Sequence, residues 1–371
     1  MHQREHLRVI ISGGGTGGHV FPALAIADAL KKQVRHAHIL FVGAKGRMEM
    51  EKVPKAGYHI IGLNISGLQR RLTYKNLFVG FKLISSIVKA RKIVKRFKPD
   101  VVIGVGGYAS GPVLYVAAKQ RIPTIIQEQN SYPGLTNRLM AKKVSGICVA
   151  YDGMDKYFPK SKIYLTGNPV RKDIIDIENK RGDALKYFGF SDKKKTLLVL
   201  GGSLGAKTIN LSVKAHLRLI VDNDIQVIWQ TGKLYFKEAV DYIEKNIGNK
   251  GVVAVSFIDR MDLAYGICDM VVSRSGAISV SEICVLQKPA VFIPSPNVAD
   301  DHQTKNALAL ANHKAALIIK DSQAVESLGD VVMEIIFDEE KKHQLKEKIA
   351  GFSIKDSDDR IASVVLNLLN N

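Results

Sequence analysis

A glycine-rich loop near the start of the chain constrains its fold more than any other feature. Residues 13–18 are five glycines and a threonine, and they lie between an apolar run at residues 9–11 and a segment from Pro22 onward with helical apolar spacing. A buried parallel strand, a tight turn and a helix in this order bring backbone N–H groups and the positive helix terminus together. The pattern therefore predicts an anion-binding loop, with phosphate as the typical ligand.

The glycines also match the G-x-G-x-x-G spacing of dinucleotide sites, at Gly13, Gly15 and Gly18. Such sites hold a ribose hydroxyl with an acidic residue at the end of the second strand. Here the second predicted strand, residues 39–42, is followed by Gly-Ala-Lys, which disfavours NAD. Lys45 could meet the 2′-phosphate of NADP, so an NADP-binding oxidoreductase stays open as an alternative. A Walker site is excluded because no Gly-Lys-Ser/Thr follows the glycines.

The chain has 371 residues, which is long enough for two domains with separate cores. Apolar runs of strand length alternate with helical segments throughout, and this alternation predicts parallel sheets covered by helices on both faces. The strand, glycine loop and helix of residues 9–30 recur at residues 197–221. We therefore predict two doubly wound α/β domains that join near the Gly-Asn-Pro turn at residues 167–169.

The excess positive charge is confined to the first half of the chain. Residues 1–168 contain 27 Lys and Arg against 8 Asp and Glu, an excess of 19, whereas residues 169–371 contain 27 of each. Such an excess favours a polyanionic partner, either a nucleic acid or an anionic membrane surface, over a merely soluble basic face. No helix-turn-helix, zinc knuckle or RNA-binding aromatic signature occurs in the sequence, so no nucleic-acid partner is expected.

Residues 76–88 predict an amphipathic helix in strongly basic surroundings. Its apolar stripe consists of Leu77, Phe81, Ile84 and Val88. The surrounding cations are Arg70, Arg71, Lys75, Lys82, Lys89, Arg91, Lys92, Lys95, Arg96 and Lys98. A basic amphipathic helix can lie in a membrane interface, and packing of the stripe on a core is the alternative. Both hold if Phe78, Leu83 and Ile87, which lie off the stripe, leave apolar surface outside. The candidate membrane contacts are Leu77, Phe78, Phe81 and Lys82.

Other features of the sequence bear on its compartment. No apolar run is long enough to span a bilayer, and the first six residues lead into a strand without the apolar region of a signal peptide. Cys148, Cys268 and Cys284 lack metal-ligand spacing and are predicted to be buried free thiols. We expect a cytosolic protein that is at most peripheral to a membrane.

Four further segments place small or polar residues directly after predicted strands. They are residues 104–112, 127–138, 201–206 and 273–282. In an open α/β sheet, ligands bind at the carboxyl ends of the strands. Together with the first loop, these segments predict a cleft with anion-binding groups on both walls.

The order of these motifs resembles that of the MurG family, the peptidoglycan N-acetylglucosaminyltransferases of GT-B fold, over nearly the whole chain. The motifs are residues 14–19, 106–108, 110–112, 128–130, 167–171, 201–203, 275–277, 281–282, 301–303 and 306–307. The resemblance implies two Rossmann-like doubly wound parallel-sheet domains facing across a cleft. Residues 1–168, with about 354–371 crossing back, would form the acceptor and membrane-facing domain, and residues 169–353 the UDP-sugar-binding domain.

The resemblance also implies a reaction. It is the inverting, metal-independent transfer of N-acetylglucosamine from UDP-N-acetylglucosamine to the 4-hydroxyl of N-acetylmuramic acid in lipid I, undecaprenyl-pyrophosphoryl-MurNAc-pentapeptide, giving lipid II. The implied partners are these two substrates, an anionic membrane surface at the cytoplasmic face of the plasma (inner) membrane, and cell-wall synthesis proteins. The resemblance implies no cofactor or metal. The acidic pair at Asp222 and Asp224 is discounted as a metal site, because it precedes a predicted strand and has a turn composition.

An inverting transfer needs a base for the acceptor hydroxyl and stabilisation of the leaving diphosphate. His19 is the one histidine within a glycine loop, and histidine is the side chain that can act as a base near neutral pH without a large pKa shift. It is therefore the candidate base, with hydrogen bonding to sugar or phosphate as its alternative role. The backbone amide and hydroxyl of Ser203 and the guanidinium of Arg171 would assist UDP departure.

The remaining site residues follow from the resemblance. It implies that the backbone of Ile258 meets the uracil and that Glu282 accepts from the ribose hydroxyls. The sugar contacts would be Thr16, Gly17, Gly18, Asn130 and Gln303. The other implied donor-binding residues are Ala277, Ile278, Ser279, Val280 and Ser281. The candidates for the acceptor diphosphate are Gly14, Gly15, Gly106, Gly107 and Tyr108. A same-fold transferase that acts on diacylglycerol or a sterol is the alternative within this fold.

Overall fold

The structure is a computed structural model that describes residues 5–65, 77–202, 204–248 and 251–370. It divides into two compact units. The first unit comprises Met1–Val170 and Ile354–Asn371, and the second comprises Arg171–Ser353. The sequence had placed the junction at residues 168–169 and the return of the chain near residue 354.

The first unit is built on a parallel sheet with helices on both faces. Its strands are β1 His6–Ser12, β2 His36–Ala44, β3 His59–Leu63, β4 Val101–Gly104, β5 Thr124–Glu128, β6 Gly146–Val149 and β7 Ile163–Leu165. Its helices are α1 Gly17–Gln33, α2 Glu49–Lys55, α3 Leu77–Phe97, α4 Ser110–Lys119, α5 Leu135–Met140 and the C-terminal α14 Ser357–Asn370. The described strands are ordered β3-β2-β1-β4-β5-β6-β7.

The alternation of side chains along β1 produces two cores in this unit. Val9 and Ile11 belong to a cluster with apolar residues of α1 and α14. Ile10 faces the other way, into a cluster with residues of α3 and α4. Because both faces of the strand are covered, every residue from Val9 to Ile11 is apolar and buried.

The second unit repeats the architecture. Its strands are β8 Lys195–Leu200, β9 Ile225–Gln230, β10 Val252–Val255, β11 Met270–Ser273, β12 Ala290–Phe292 and β13 Leu317–Ile318. Its helices are α6 Arg181–Phe188, α7 Lys207–Asp222, α8 Phe236–Asn246, α9 Met261–Ile267, α10 Ala277–Val285, α11 His302–Ala311, α12 Ala324–Ile336 and α13 Glu339–Ala350. The described strands are ordered β10-β9-β8-β11-β12-β13, all parallel.

The strand order reverses between β1 and β4 in the first unit and between β8 and β11 in the second. Open α/β sheets bind ligands at the carboxyl ends of strands at such a reversal. The loops that follow these four strands are therefore the places to look for a site in each unit. The predicted pair of doubly wound parallel-sheet domains is confirmed.

Helix α3 presents its apolar stripe to the outside. Phe81, Ile84 and Val88 are 73%, 63% and 51% exposed, whereas the sheet-facing side is formed by other residues. That buried side consists of Ser86, Ala90, Ile93 and Val94. The alternative that the stripe packs on the core is wrong for Phe81, Ile84 and Val88. The helix packs on the sheet through the buried residues instead, which also recur at helical spacing. The side chains of the predicted contacts Leu77 and Phe78 lie outside the described part of the structure. The cations Arg70, Arg71 and Lys75 lie outside the described residues.

The three cysteines are buried free thiols, as predicted. Burial raises the pKa of Cys148 to about 12, that of Cys268 to about 11 and that of Cys284 to about 12. These thiols are therefore unreactive at neutral pH. In the part of the chain that the structure describes, no helix is long and apolar enough to cross a membrane.

Candidate functional site

In the first unit, three loops at the carboxyl ends of β1, β4 and β5 contact one another. Gly13 donates its N–H to the Val42 carbonyl at 3.2 Å, and Gly14 donates to the Gly106 carbonyl at 3.3 Å. Gln129, which follows β5, donates from Nε2 to the Val105 carbonyl at 2.8 Å. The loops that the sequence analysis predicts to lie together are therefore adjacent in the first unit, joined by one backbone bond between Gly14 and Gly106 and one side-chain bond from Gln129.

A carboxylate of the protein itself occupies the anion position of the first glycine loop. Glu49 is 1% exposed and accepts the N–H of Gly15 at 2.9 Å and that of Ala44 at 2.9 Å. The N–H groups of Gly14 and Gly15, two of the residues predicted for the acceptor diphosphate, are thus both engaged within the protein in this structure. Sequence reasoning missed Glu49 because it considered only the end of the predicted second strand and the three residues that follow it, 43–45.

Gly106 and Gly107 are required by the contact between the loops. Both have left-handed φ angles, +90° and +81°. A Cβ atom at position 107 would lie 2.4 Å from the Gly14 carbonyl oxygen, so only glycine permits this approach. The side chain of Tyr108, which comes next, is 57% exposed. Of the five predicted diphosphate candidates, Gly106 and Gly107 thus shape the loop and Tyr108 has an accessible side chain.

His19 lies in the first turn of α1, half-buried beside these loops. Its Nδ1 is 3.1 Å from the Thr16 hydroxyl oxygen, and a Cβ atom at position 106 would lie 2.8 Å from its Nε2. If Nδ1–H donates to Thr16, Nε2 is left as the basic nitrogen. Because α1 begins at Gly17, the N–H groups of Gly17 and Gly18 have no acceptor within the helix. This turn can therefore offer both a base and amide donors.

A second buried carboxylate organises the loop after β5. Glu128 is 1% exposed and accepts from the backbone and side-chain N–H groups of Asn130, at 3.0 and 3.2 Å. Its other oxygen accepts from Gly134 and Asn137 at 3.0 and 2.8 Å. Burial raises the pKa of Glu128, and these four hydrogen bonds oppose the rise. Glu128 thus fixes the side chain of Asn130, the predicted sugar contact.

In the second unit, the loop after β8 has the geometry of a tight glycine turn. Gly201 donates to the Gln230 carbonyl at 3.0 Å, and Gly205 donates to the Gly202 carbonyl at 3.2 Å. Gly202 and Gly205 have φ angles of +78° and +92°. Ser203, the predicted phosphate contact, lies outside the described residues.

Gln230 connects this loop to the predicted uracil contact. Its side-chain oxygen accepts the N–H of Ile258 at 3.2 Å, while its backbone carbonyl receives Gly201. A uracil at Ile258 would therefore either bond to the Ile258 backbone carbonyl or replace the Gln230 side chain at the Ile258 N–H. Sequence reasoning missed Gln230, although a buried glutamine that ends a strand beside a glycine loop is a signal that could have identified it.

The residues predicted for ribose and diphosphate lie together in the second unit. Arg171 Nε is 3.8 Å from Glu282 Oε1 and 3.5 Å from Asp173 Oδ1. The Tyr265 hydroxyl donates to Glu282 Oε2 at 3.2 Å. Two guanidinium nitrogens of Arg171, Nε and Nη2, are buried and have no hydrogen-bond partner among the described residues. An anion that approaches here would meet a preformed, unsatisfied donor pair.

The environment of Glu282 shifts its titration. Burial raises the pKa of Glu282 to about 7, even though Arg171 and the Tyr265 hydroxyl lower it. Asp173 adds to the rise. The carboxyl group is therefore poised to gain or lose a proton near neutral pH, according to what binds beside it.

The other predicted donor contacts surround the start of α10. The first-turn amides of Ala277, Ile278 and Ser279 have no acceptor within the helix. Val280 is buried, and the Ser281 hydroxyl donates to the Ala277 carbonyl at 2.9 Å. The side chain of Gln303 is fixed by the N–H of Ser295, which donates to Oε1 at 2.9 Å. The helix terminus and the side chain of Gln303 are thus polar groups of this set that a donor could meet.

The loop between α7 and β9 fits its predicted turn. Asp224 has a left-handed φ of +58° and pairs with Lys194 at 2.7 Å. The part of the chain that the structure describes contains no group of three or more His, Cys, Asp or Glu side chains placed to hold a metal ion.

Comparison with known proteins identifies the family. The N-terminal domain model of glycosyltransferase family 28 matches residues 9–149, and the C-terminal domain model of that family matches residues 196–361. The chain belongs to glycosyltransferase family 28. It is thus a glycosyltransferase and not an oxidoreductase.

Individual relatives narrow the family to the MurG enzymes. The UDP-N-acetylglucosamine--N-acetylmuramyl-(pentapeptide) pyrophosphoryl-undecaprenol N-acetylglucosamine transferase of Parabacteroides distasonis is 51% identical, over 98% of each chain. The protein of the same name from Bacteroides fragilis is 52% identical, over 99% of this chain and 97% of the relative. The crystal structure of Acinetobacter baumannii MurG matches with a TM-score of 0.80 and 27% identity, over 97% of this chain and 99% of that one. The predicted family is confirmed.

Proposed function

We propose that this glycosyltransferase moves N-acetylglucosamine from UDP-N-acetylglucosamine to the 4-hydroxyl of N-acetylmuramic acid in lipid I, forming lipid II. The observation that carries the proposal is the match, at about half identity and over nearly the full length, to relatives named for this transfer. Cell-wall synthesis proteins are the partners expected of an enzyme that acts at this step.

The second unit would bind the donor. Arg171 offers buried N–H groups without hydrogen-bond partners, which suit the leaving diphosphate, and it carries positive charge without a metal. Glu282 would accept from the ribose hydroxyls, with the carboxylate held by Tyr265. As the C1–oxygen bond to the diphosphate breaks, the negative charge that develops on UDP would be stabilised by Arg171 and by the amides at the start of α10.

The first unit would bind the acceptor and supply the base. The acceptor hydroxyl attacks C1 of the donor sugar from the face opposite the leaving diphosphate, so the configuration inverts. Its proton passes to Nε2 of His19, whose Nδ1 is held by Thr16 at 3.1 Å. The acceptor diphosphate would meet the N–H groups of Gly17 and Gly18, because those of Gly14 and Gly15 are engaged.

We further infer that the first unit attaches peripherally to the cytoplasmic face of the plasma membrane through α3. Its outward stripe of Phe81, Ile84 and Val88 is followed by exposed cations at Arg91 and Lys92. Apolar side chains would enter the interface while the cations meet anionic headgroups.

Vesicle sedimentation tests this attachment. Replacing both Phe81 and Ile84 with serine is expected to weaken binding to phosphatidylglycerol-containing vesicles about a hundredfold or more, since each inserted side chain contributes about 1.5–3 kcal/mol and every 1.4 kcal/mol is tenfold. Leu219→Ser, at an exposed apolar residue of the second unit, is the control. Equal sedimentation of the double variant and the native enzyme would remove α3 from the membrane contact.

The reaction itself is tested with radiolabelled UDP-N-acetylglucosamine, offered with purified lipid I or with diacylglycerol. Label is expected only in the reaction with lipid I, where it appears in the product lipid II. The rate of transfer is expected to persist in excess EDTA. Labelling of diacylglycerol alone would overturn the proposed acceptor. Loss of transfer in EDTA, restored by a divalent cation, would overturn the metal-independent mechanism.

A further inference from the structure

The mechanism makes no use of Glu49, yet its carboxylate is the most enclosed charged group at the first glycine loop. It is 1% exposed, and its two oxygens accept different backbone N–H groups, one from Gly15 in the loop and one from Ala44 at the end of β2. Burying a carboxylate is costly unless hydrogen bonds to its charged form compensate. Here two backbone donors provide that compensation, and they join two segments distant in sequence.

Two glycines of the sequence make room for this carboxylate. A Cβ atom at position 14 would lie 2.3 Å from Glu49 Cδ, and one at position 43 would lie 2.5 Å from Glu49 Cγ. Neither distance is compatible with the present position of Glu49. The Glu49 side chain therefore requires glycine at positions 14 and 43.

The bond to Gly15 is connected directly to the predicted base. Thr16 follows Gly15 in the chain, precedes the first residue of α1 and holds Nδ1 of His19. A shift of the loop at Gly15 would therefore move both Thr16 and the imidazole. The N–H groups of residues 13–15 are already engaged within the protein. An anion at this loop would therefore meet the N–H groups that follow Thr16, those of Gly17 and Gly18.

We propose that Glu49 is a positioning residue for the acceptor side of the transfer. By occupying the anion position at Gly15, it fixes the loop so that His19 and the N–H groups of Gly17 and Gly18 face the acceptor. It touches neither substrate. This inference rests on the proposed function, because it assigns the acceptor to the first unit.

Two substitutions test the role, and a third controls for the change of charge. In Glu49→Gln the amide group keeps one acceptor oxygen but turns an NH2 toward the other backbone donor, so one bond is lost. Gly43→Ala keeps the glutamate but displaces its side chain, because the added Cβ would lie 2.5 Å from Glu49 Cγ. Glu51→Gln removes an exposed carboxylate of the same helix, which pairs with Lys55 at 2.7 Å.

The enzymes are compared with a soluble lipid I analogue as acceptor and with UDP binding by calorimetry. Both test variants are expected to lose about 10- to 100-fold in kcat/KM for the acceptor, the effect of a misplacement near 1 Å, whereas the Kd for UDP stays within about twofold. Glu51→Gln is expected to match the native enzyme.

Two results would overturn the role of Glu49. One is acceptor kinetics of both test variants within about twofold of the native value, since a misplaced base costs far more. The other is a parallel loss of UDP affinity and of thermal stability, which would mean general damage to the fold. Failure of the proposed function looks different, because the native enzyme itself would then not glycosylate the lipid I analogue.

Discussion

The two units contain the same strand, glycine loop and helix, but they use the loop differently. In the first unit, the N–H groups of residues 13–15 are all engaged, and that of Gly15 is bound by the buried carboxylate of Glu49. In the second unit, no carboxylate accepts from the described residues of the loop at 201–206, where Gly201 and Gly205 bond to backbone carbonyls. A glycine loop therefore specifies a shape, and the side chains around it decide whether an external anion can bind.

Buried carboxylates show the same contrast. Both carboxylate oxygens of Glu49 accept hydrogen bonds from backbone N–H groups, so this side chain stabilises the loop. Glu282 accepts from one hydroxyl and lies 3.8 Å from Arg171, two of whose guanidinium nitrogens have no hydrogen-bond partner among the described residues. Glu49 is thus satisfied within the first unit, while Arg171 beside Glu282 retains N–H groups that a ligand could engage.

The largest expected effect separates chemistry from donor binding. His19→Ala should lower kcat by about 10²- to 10⁴-fold, the usual contribution of a general base. The Kd for UDP should stay unchanged, because the nucleotide would bind the other unit. His38→Ala, which removes an exposed imidazole of β2, is the control. Full turnover by His19→Ala would place the base elsewhere.

Arg171→Ala is expected to have the opposite signature. Loss of a preorganised donor to the leaving diphosphate should lower kcat/KM for UDP-N-acetylglucosamine by about 10²- to 10³-fold and weaken UDP binding measured by calorimetry. Arg181→Ala, at an exposed arginine paired with Asp192, should have no effect. Native kinetics in Arg171→Ala would remove this arginine from the site and erase the contrast between the units.

A smaller effect concerns the pH dependence of donor binding. Since the pKa of Glu282 is about 7, binding to the ionised carboxylate should strengthen about tenfold between pH 6 and pH 8. UDP-N-acetylglucosamine is the probe, because its diphosphate does not titrate in this range. Tyr265→Phe removes a hydrogen bond that lowers the pKa of Glu282, so the midpoint should move upward.

The titration of Glu282 also makes the free energy of unfolding depend on pH. Because burial raises the pKa of Glu282 from 4.5, the fold favours the protonated form, and its contribution to the free energy of unfolding should decline as pH rises from about 4.5 through 7. Tyr187→Phe, at an exposed tyrosine, serves as the control for both measurements. A flat affinity profile in the native enzyme would show that Glu282 does not contact the donor.

The fold was predictable because it follows from local patterns. Alternating strand and helix segments specify doubly wound sheets, and glycines after strands identify the loops at the ligand edge. The occupant of the first loop was not predictable, since Glu49 reaches Gly15 only after β1 and β2 pair. The orientation of α3 was ambiguous for a similar reason: the stripe at Phe81 and the set at Ala90 both have helical spacing, and packing decides between them.

Hydrogen exchange with and without UDP tests most directly whether the two loops differ in use. UDP is expected to slow the exchange of backbone amides in peptides that cover residues 200–206 and 273–282, and to leave peptides that cover residues 9–16 unchanged. The same experiment on Arg171→Ala should lose the protection. Protection of residues 9–16 by UDP, with none at 200–206, would contradict the assignment of the nucleotide to the second unit.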